Sequence, residues 1–230
     1  MVEIIPAVIP KSYSNLVNTL GRIGHFVSVI QIDVTDGLFV SDKSWPYIEE
    51  NDPMFLALVR KESELPFLGT MSYEVDLMVE EPEHEIEAWV SMGISRIIVH
   101  IESTKNVSSI IRYLAESDVE HVSLGLAVNT STNVAELEPF IDAIDFVQCM
   151  GIDRIGKQGE QADPRVLEQL KKLRALHPSL ILSVDGGVRF ENARALVDAG
   201  ANRLVSGSLI LESEKPEETI KTLYAMVNTV

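Results

Sequence analysis

Two aspartates, Asp33 in QIDVTDG and Asp185 in SVDGG, each stand late in an apolar run of β type. In residues 29–35, Gln31, Asp33 and Thr35 alternate with Ile30, Ile32 and Val34, the period-2 pattern of a strand with one polar face. Asp76 and Met78 share a parity near the end of residues 73–78, with Glu74 one step deeper. His100, Gln148 and Met150 fall near the ends of two further runs. If these faces turn inward, Asp33, Asp76 and Asp185 meet a histidine and a glutamine at one mouth. Unpaired carboxylates in a dry interior need a cation, a shared proton or hydrogen bonds, and each of these suits proton-transfer chemistry. One strand-end aspartate alone reads as a cap or a solvated loop residue. Asp33 and Asp185 at matching depth read as a working pair.

A second group lies in SVDGGV and VSGSLI, which contain Gly186, Gly187, Gly207 and Ser208. Glycines after two successive strands let backbone N–H groups approach a phosphate, although each alone makes only a tight turn. Arg189, Arg154 and Lys157 are the cations in sequence reach of such a site. His25, His84, His121 and His177 fall at helix ends, on a helix or at a strand start, and Trp89 reads as helix packing. Trp45 is either a lid residue or packing.

The elements that must position these groups are eight β-type runs, at residues 4–9, 29–35, 73–78, 96–101, 122–128, 146–150, 180–185 and 203–206. Amphipathic helical segments alternate with them, several ending in glycine as helix C-caps do. Eight alternations in 230 residues point to an α/β fold, a (β/α)8 TIM barrel, with residues 1–230 as one domain. There is no GxGxxG after the first strand and no Walker loop. The long connection at residues 38–53 is expected to cover part of the mouth.

At 46% hydrophobic and 23% charged the composition is that of a globular protein, with no apolar run of membrane-spanning length. A net charge of −16 argues against nucleic acid, which is bound by basic patches. A small anionic ligand would need local donors to overcome that field. One cysteine, Cys149, excludes an internal disulfide, and no signal peptide is read, so a cytoplasmic location is expected.

The motifs IIPAVIP, QIDVTDGLFV, VDLMVEEPE, IIVHIES, GLAVNTST, VQCM, SVDGGV and AGANRLVSGS, taken in order, resemble those of ribulose-phosphate 3-epimerases across nearly the whole chain. The resemblance implies a metal-dependent 1,1-proton transfer on a phosphorylated ketose through an enediolate. Asp33 and Asp185 match the two aspartates that exchange the proton. It also implies a metal held by two histidines and those aspartates, but here the histidine positions are Gln31 and Asp76. A serine expected on the first strand is Ala7, and a methionine expected between the strand-2 aspartates is Thr35. Met78 and Met150 keep apolar positions beside the substrate. His100, Gly186, Gly187, Gly207 and Ser208 are expected around the substrate and its phosphate. The glycine-rich loop after strand 6 is replaced by GIDRIGKQG. Swapping two imidazoles for an amide and a carboxylate gives an all-oxygen site at Gln31, Asp33, Asp76 and Asp185, favouring Mg²⁺, Mn²⁺ or Ca²⁺ over Zn²⁺. The competing expectation is a lost metal with one carboxylate protonated. Alternative functions are a non-catalytic phosphosugar-binding barrel, or a lyase or decarboxylase of the related barrels. Those typically carry a lysine in D-x-K-x-x-D on strand 2, which QIDVTDG lacks. A homo-oligomer, a dimer first, is the expected assembly.

Overall fold

The computed structural model describes residues 1–117 and 122–228, so His121 lies outside the described residues. Eight parallel strands close into a barrel: β1 (Glu3–Val8), β2 (Val29–Thr35), β3 (Ser72–Met78), β4 (Arg96–His100), β5 (Ser123–Val128), β6 (Phe146–Met150), β7 (Ile181–Asp185) and β8 (Arg203–Ser206). Closure is made where β8 returns to β1, with Pro6 opposite Ser206. The helices α1 (Tyr13–Ile23), α2 (Pro53–Val59), α3 (Ile86–Ser91), α4 (Val107–Glu116), α5 (Arg165–Leu176), α6 (Phe190–Asp198), α7 (Ser208–Leu211) and α8 (Pro216–Asn228) lie between and after the strands. This is the (β/α)8 barrel that the alternation predicts. No helix among the described residues is long and apolar enough to cross a membrane.

Local chemistry sets the ends of these elements. The Ser12 side chain accepts from the Asn15 N–H and starts α1, whose Leu16, Leu20 and Ile23 face the barrel wall. Asp52 caps α2 through the Phe55 N–H, with Pro53 in the first turn where its missing donor costs nothing. Between β5 and β6 the chain winds as a 3₁₀ helix, Val134–Ala143, with Pro139 inside it, whose ring would clash with the carbonyl four residues back in an α-helix.

All seven residues of β2 are buried, so neither of its faces is wet. Ile30, Ile32 and Val34 join the apolar layer under the helices. Inside the barrel, Ile5, Val29 and Val205 pack in one cluster and Ile98, Phe146 and Met150 in another. A Cβ on Gly125 would sit 2.4 Å from the Phe146 ring, so glycine is required there. The barrel floor is ionic. Arg96 Nη1 donates to Glu74 Oε2 at 2.9 Å and to Glu3 Oε2 at 3.2 Å, and Arg203 reaches Glu3 at 3.2 Å.

Candidate active site

The polar residues of the strands meet above that floor, at the C-terminal end of the barrel. Asp33 and Asp76 are register partners on β2 and β3, and Asp185 is the last residue of β7. Parity turns all three inward, and one oxygen from each lies within 4.8 Å of the others. Gln31, two residues below Asp33 on the same face, bridges two of them. Its Nε2 donates to Asp33 Oδ1 at 2.7 Å and to Asp185 Oδ2 at 2.8 Å. Gln148 on β6 donates to Asp76 Oδ2 at 2.9 Å and to Asp185 Oδ2 at 3.4 Å. His100 Nε2 stands 3.1 Å from Asp76 Oδ1, and its Nδ1 is 3.8 Å from Glu102.

Water is nearly excluded from this cluster, and its electrostatics follow from that. Burial, then the charge of Asp76, pushes the Asp185 carboxyl up to about 7, with the Gln31 amide pulling the other way. Burial and the charges of Asp185 and Asp76 hold Asp33 well above the ordinary carboxylate range. Burial works against a charged His100, but the carboxylate of Asp76 outweighs it and raises the imidazole. The arrangement can therefore hold and release protons near neutral pH.

It also fits a divalent cation. The carbonyl oxygens of Gln31 and Gln148 are buried and receive no hydrogen bond among the described residues. The groups facing the cluster offer oxygen donors, with the one imidazole beside Asp76. For Gln31 to serve as a ligand its amide must exchange ends, because Nε2 is the atom now facing the carboxylates.

A pocket opens directly over the cluster, lined by Asp33, Asp185, Met78 and Met150. Gly186, Gly187, Gly207 and Ser208 form its far wall. Gly186 and Gly187 take φ of +88° and +67°, where other residues are strained. The backbone N–H groups of Gly186, Gly187 and Gly207 find no acceptor among the described residues. Gln31 and His100 are not in the pocket wall. Gln31 lies beneath the two aspartates, and His100 stands behind Asp76, covered by the Phe39 ring at 5.3 Å.

The loop after β2 covers that side. Ser44 Oγ accepts from the Thr35 N–H and donates to the Asp33 carbonyl, tying the loop to the strand end. Trp45 is buried rather than poised over the mouth, with ring contacts to Tyr13, Phe55 and Trp89. Of the other cations in sequence reach, Lys157 lines the pocket and stands 3.7 Å from Asp42, whereas Arg154 is not in the pocket wall and pairs with Glu160. Gln158 is the residue that sequence reasoning passed over. Its amide reaches across the mouth to the Ala7 carbonyl at 3.0 Å, a contact that no local pattern announces.

The model of the family described as "Ribulose-phosphate 3 epimerase family" matches residues 3–211. Ribulose-phosphate 3-epimerase of Schizosaccharomyces pombe is 30% identical over 96% of this chain and 92% of the relative. The Bacillus subtilis enzyme of the same name is 28% identical over 97% of this chain and 98% of its own. Among solved structures, a 3-hexulose-6-phosphate synthase superposes with a TM-score of 0.69 at 18% identity, covering 98% of this chain and all of that one. An orotidine 5'-phosphate decarboxylase from Pyrococcus horikoshii gives 0.64 at 16% identity, covering 99% of this chain and all of that one. At such identities these structures share the fold.

Proposed function

The chain belongs to the ribulose-phosphate 3-epimerase family, and from that premise we propose that it inverts the carbon next to the carbonyl of a phosphorylated ketose, with D-ribulose 5-phosphate first among substrates. The observation that carries this reading is the pairing of Asp33 and Asp185: both are buried, both line one pocket, and one amide bridges them. One carboxylate removes the proton from the carbon beside the carbonyl. The other, carrying a proton, returns one to the opposite face. The roles exchange when the reaction runs backward. Gln31 fixes both oxygens in place, and its N–H bonds favour the ionised form of the group that acts as base. Met78 and Met150 give the reacting carbon an apolar, water-poor wall. The free N–H groups of Gly186, Gly187 and Gly207, with Ser208, take the phosphate.

In this reading Asp33, Asp76 and Asp185 would hold a divalent cation, joined by Gln31 when its amide exchanges ends and gives up its two N–H bonds to the aspartates. This all-oxygen set favours Mg²⁺, Mn²⁺ or Ca²⁺ over Zn²⁺. A cation there would supply positive charge that lowers the cost of the negative charge built up as the proton leaves. The single buried cysteine is in keeping with a reducing cytoplasm.

The test is wash-in of solvent deuterium at the carbon beside the carbonyl of D-ribulose 5-phosphate. Asp185→Asn, which keeps an oxygen for Gln31, is expected to slow exchange by about 10²–10⁴-fold while remaining folded. Exchange at the parent rate in that variant overturns the two-aspartate assignment.

A further inference from the structure

We propose that Arg189 sets this pocket's selectivity for a phosphate monoester, acting as a cation aimed at the phosphate rather than as a surface residue. The inference rests on the phosphoketose reading above and adds a residue to it. Arg189 sits between β7 and α6 and lines the same pocket as Asp33, Asp185, Gly187 and Ser208. Its Nη1 donates to the Val188 carbonyl at 3.1 Å and to Ser208 Oγ at 3.3 Å. Those two bonds fix the guanidinium against the glycine wall. Its Nε and Nη2 donors have no acceptor among the described residues, and no described carboxylate lies within ion-pair distance.

That last fact separates Arg189 from its neighbours. In a chain of net charge −16 an acidic partner is easily found, and Arg154, Lys157 and Arg165 near the same mouth all have one. Arg189 keeps its charge free while the Asn192 side chain ties down its backbone, accepting from the Arg189 N–H at 2.8 Å and donating to the Gly187 carbonyl at 2.9 Å. A half-buried, preoriented guanidinium with unused donors beside unpaired backbone N–H groups is built for an oxyanion. It recognises a phosphate by charge-assisted, paired hydrogen bonds. It also offsets the repulsion that the acidic chain and the carboxylate cluster impose on an anionic substrate.

The experiment titrates D-ribulose 5-phosphate, unphosphorylated D-ribulose and inorganic phosphate into the parent, Arg189→Met and Arg189→Lys by calorimetry, with thermal melting as the control for folding. Arg189→Met is expected to weaken D-ribulose 5-phosphate and inorganic phosphate tenfold or more and to leave D-ribulose unchanged. KM should rise by a similar factor, with kcat within about twofold. Arg189→Lys should recover part of the loss. Arg189→Gln, which keeps a donor for Ser208, serves if Arg189→Met melts early. Binding of both phosphate ligands within twofold of the parent in these variants overturns the proposal. So does an equal loss for D-ribulose, which would mark a structural role, or a parent that binds neither phosphate ligand. A parent that binds the phosphosugar through Arg189 yet exchanges no deuterium would sink the epimerase reading and leave this assignment standing.

Discussion

At the residue scale the site is a compromise between stability and chemistry, and its sign can be worked out. The Asp185 carboxyl has its folded value raised to about 7, so between pH 4 and 7 the folded chain binds more protons than the unfolded one. Stability present below pH 4 is therefore lost as pH climbs to 7. With chelator present, the parent should lose melting temperature between pH 4 and 7, and Asp185→Asn should lose much less. At pH 8 the variant should be the more stable by on the order of 3 kcal/mol. Mn²⁺ at a hundred times its Kd should return about 2.7 kcal/mol to the parent and little to the variant. Superimposable melting curves for the two proteins across that range would show that Asp185 carries no such strain. The inward parity of Asp33, Asp76 and Asp185 was legible in the sequence because a strand's period is fixed. That the Gln31 amide would bridge two strands was not, since its partner on β7 lies 154 positions away.

At the scale of elements, the strands were more legible than what joins them. Runs of Ile and Val that are buried on both faces can only be strands of a covered sheet, and the observed spans depart from the expected ones only at their ends. β1 stops at Val8, β5 begins at Ser123 and β7 at Ile181. The loop after β2 was legible as long and aromatic, but its inner structure depends on tertiary contacts. Sequence left Trp45 open between a lid residue and packing, and the fold decides for packing: it fills the space between Tyr13, Phe55 and Trp89. Trp45→Ala should thus cost about 3–5 kcal/mol, the usual loss when a large aromatic leaves a packed site. It should also loosen Ser44, which holds the Asp33 carbonyl. Denaturant unfolding measures the first effect and KM for the ketose phosphate the second. A loss below about 1 kcal/mol would return Trp45 to the lid role.

Across the whole molecule, acidic residues on one strand meet opposite fates at the two ends of the barrel. Glu74 and Asp76 are two positions apart on β3 and face the same interior. Asp76 joins a cluster of carboxylates held by amides, whereas Glu74 lies against Arg96 at the floor. Burial still raises Glu74, with the Arg96 charge pulling it back. Sequence pattern places both inside but cannot assign their partners, because Arg96 comes from the neighbouring β4 and Glu3 from β1, two strands away on the other side. A paired floor and an unpaired mouth divide the work: one end holds the barrel closed, and the other keeps charge available for substrate. Arg96→Met should accordingly cost about 3–5 kcal/mol, the penalty of leaving a buried carboxylate without its partner. Adding Glu74→Met should recover most of that loss, because two apolar side chains replace a buried ion pair at little net cost. Both variants should keep deuterium exchange near the parent rate while folded, since neither residue lines the pocket. Urea unfolding of the two single variants and the double variant measures the coupling. Additive losses would mean that the floor is packing alone, and a coupling of several kcal/mol would identify it as the electrostatic counterweight to the mouth.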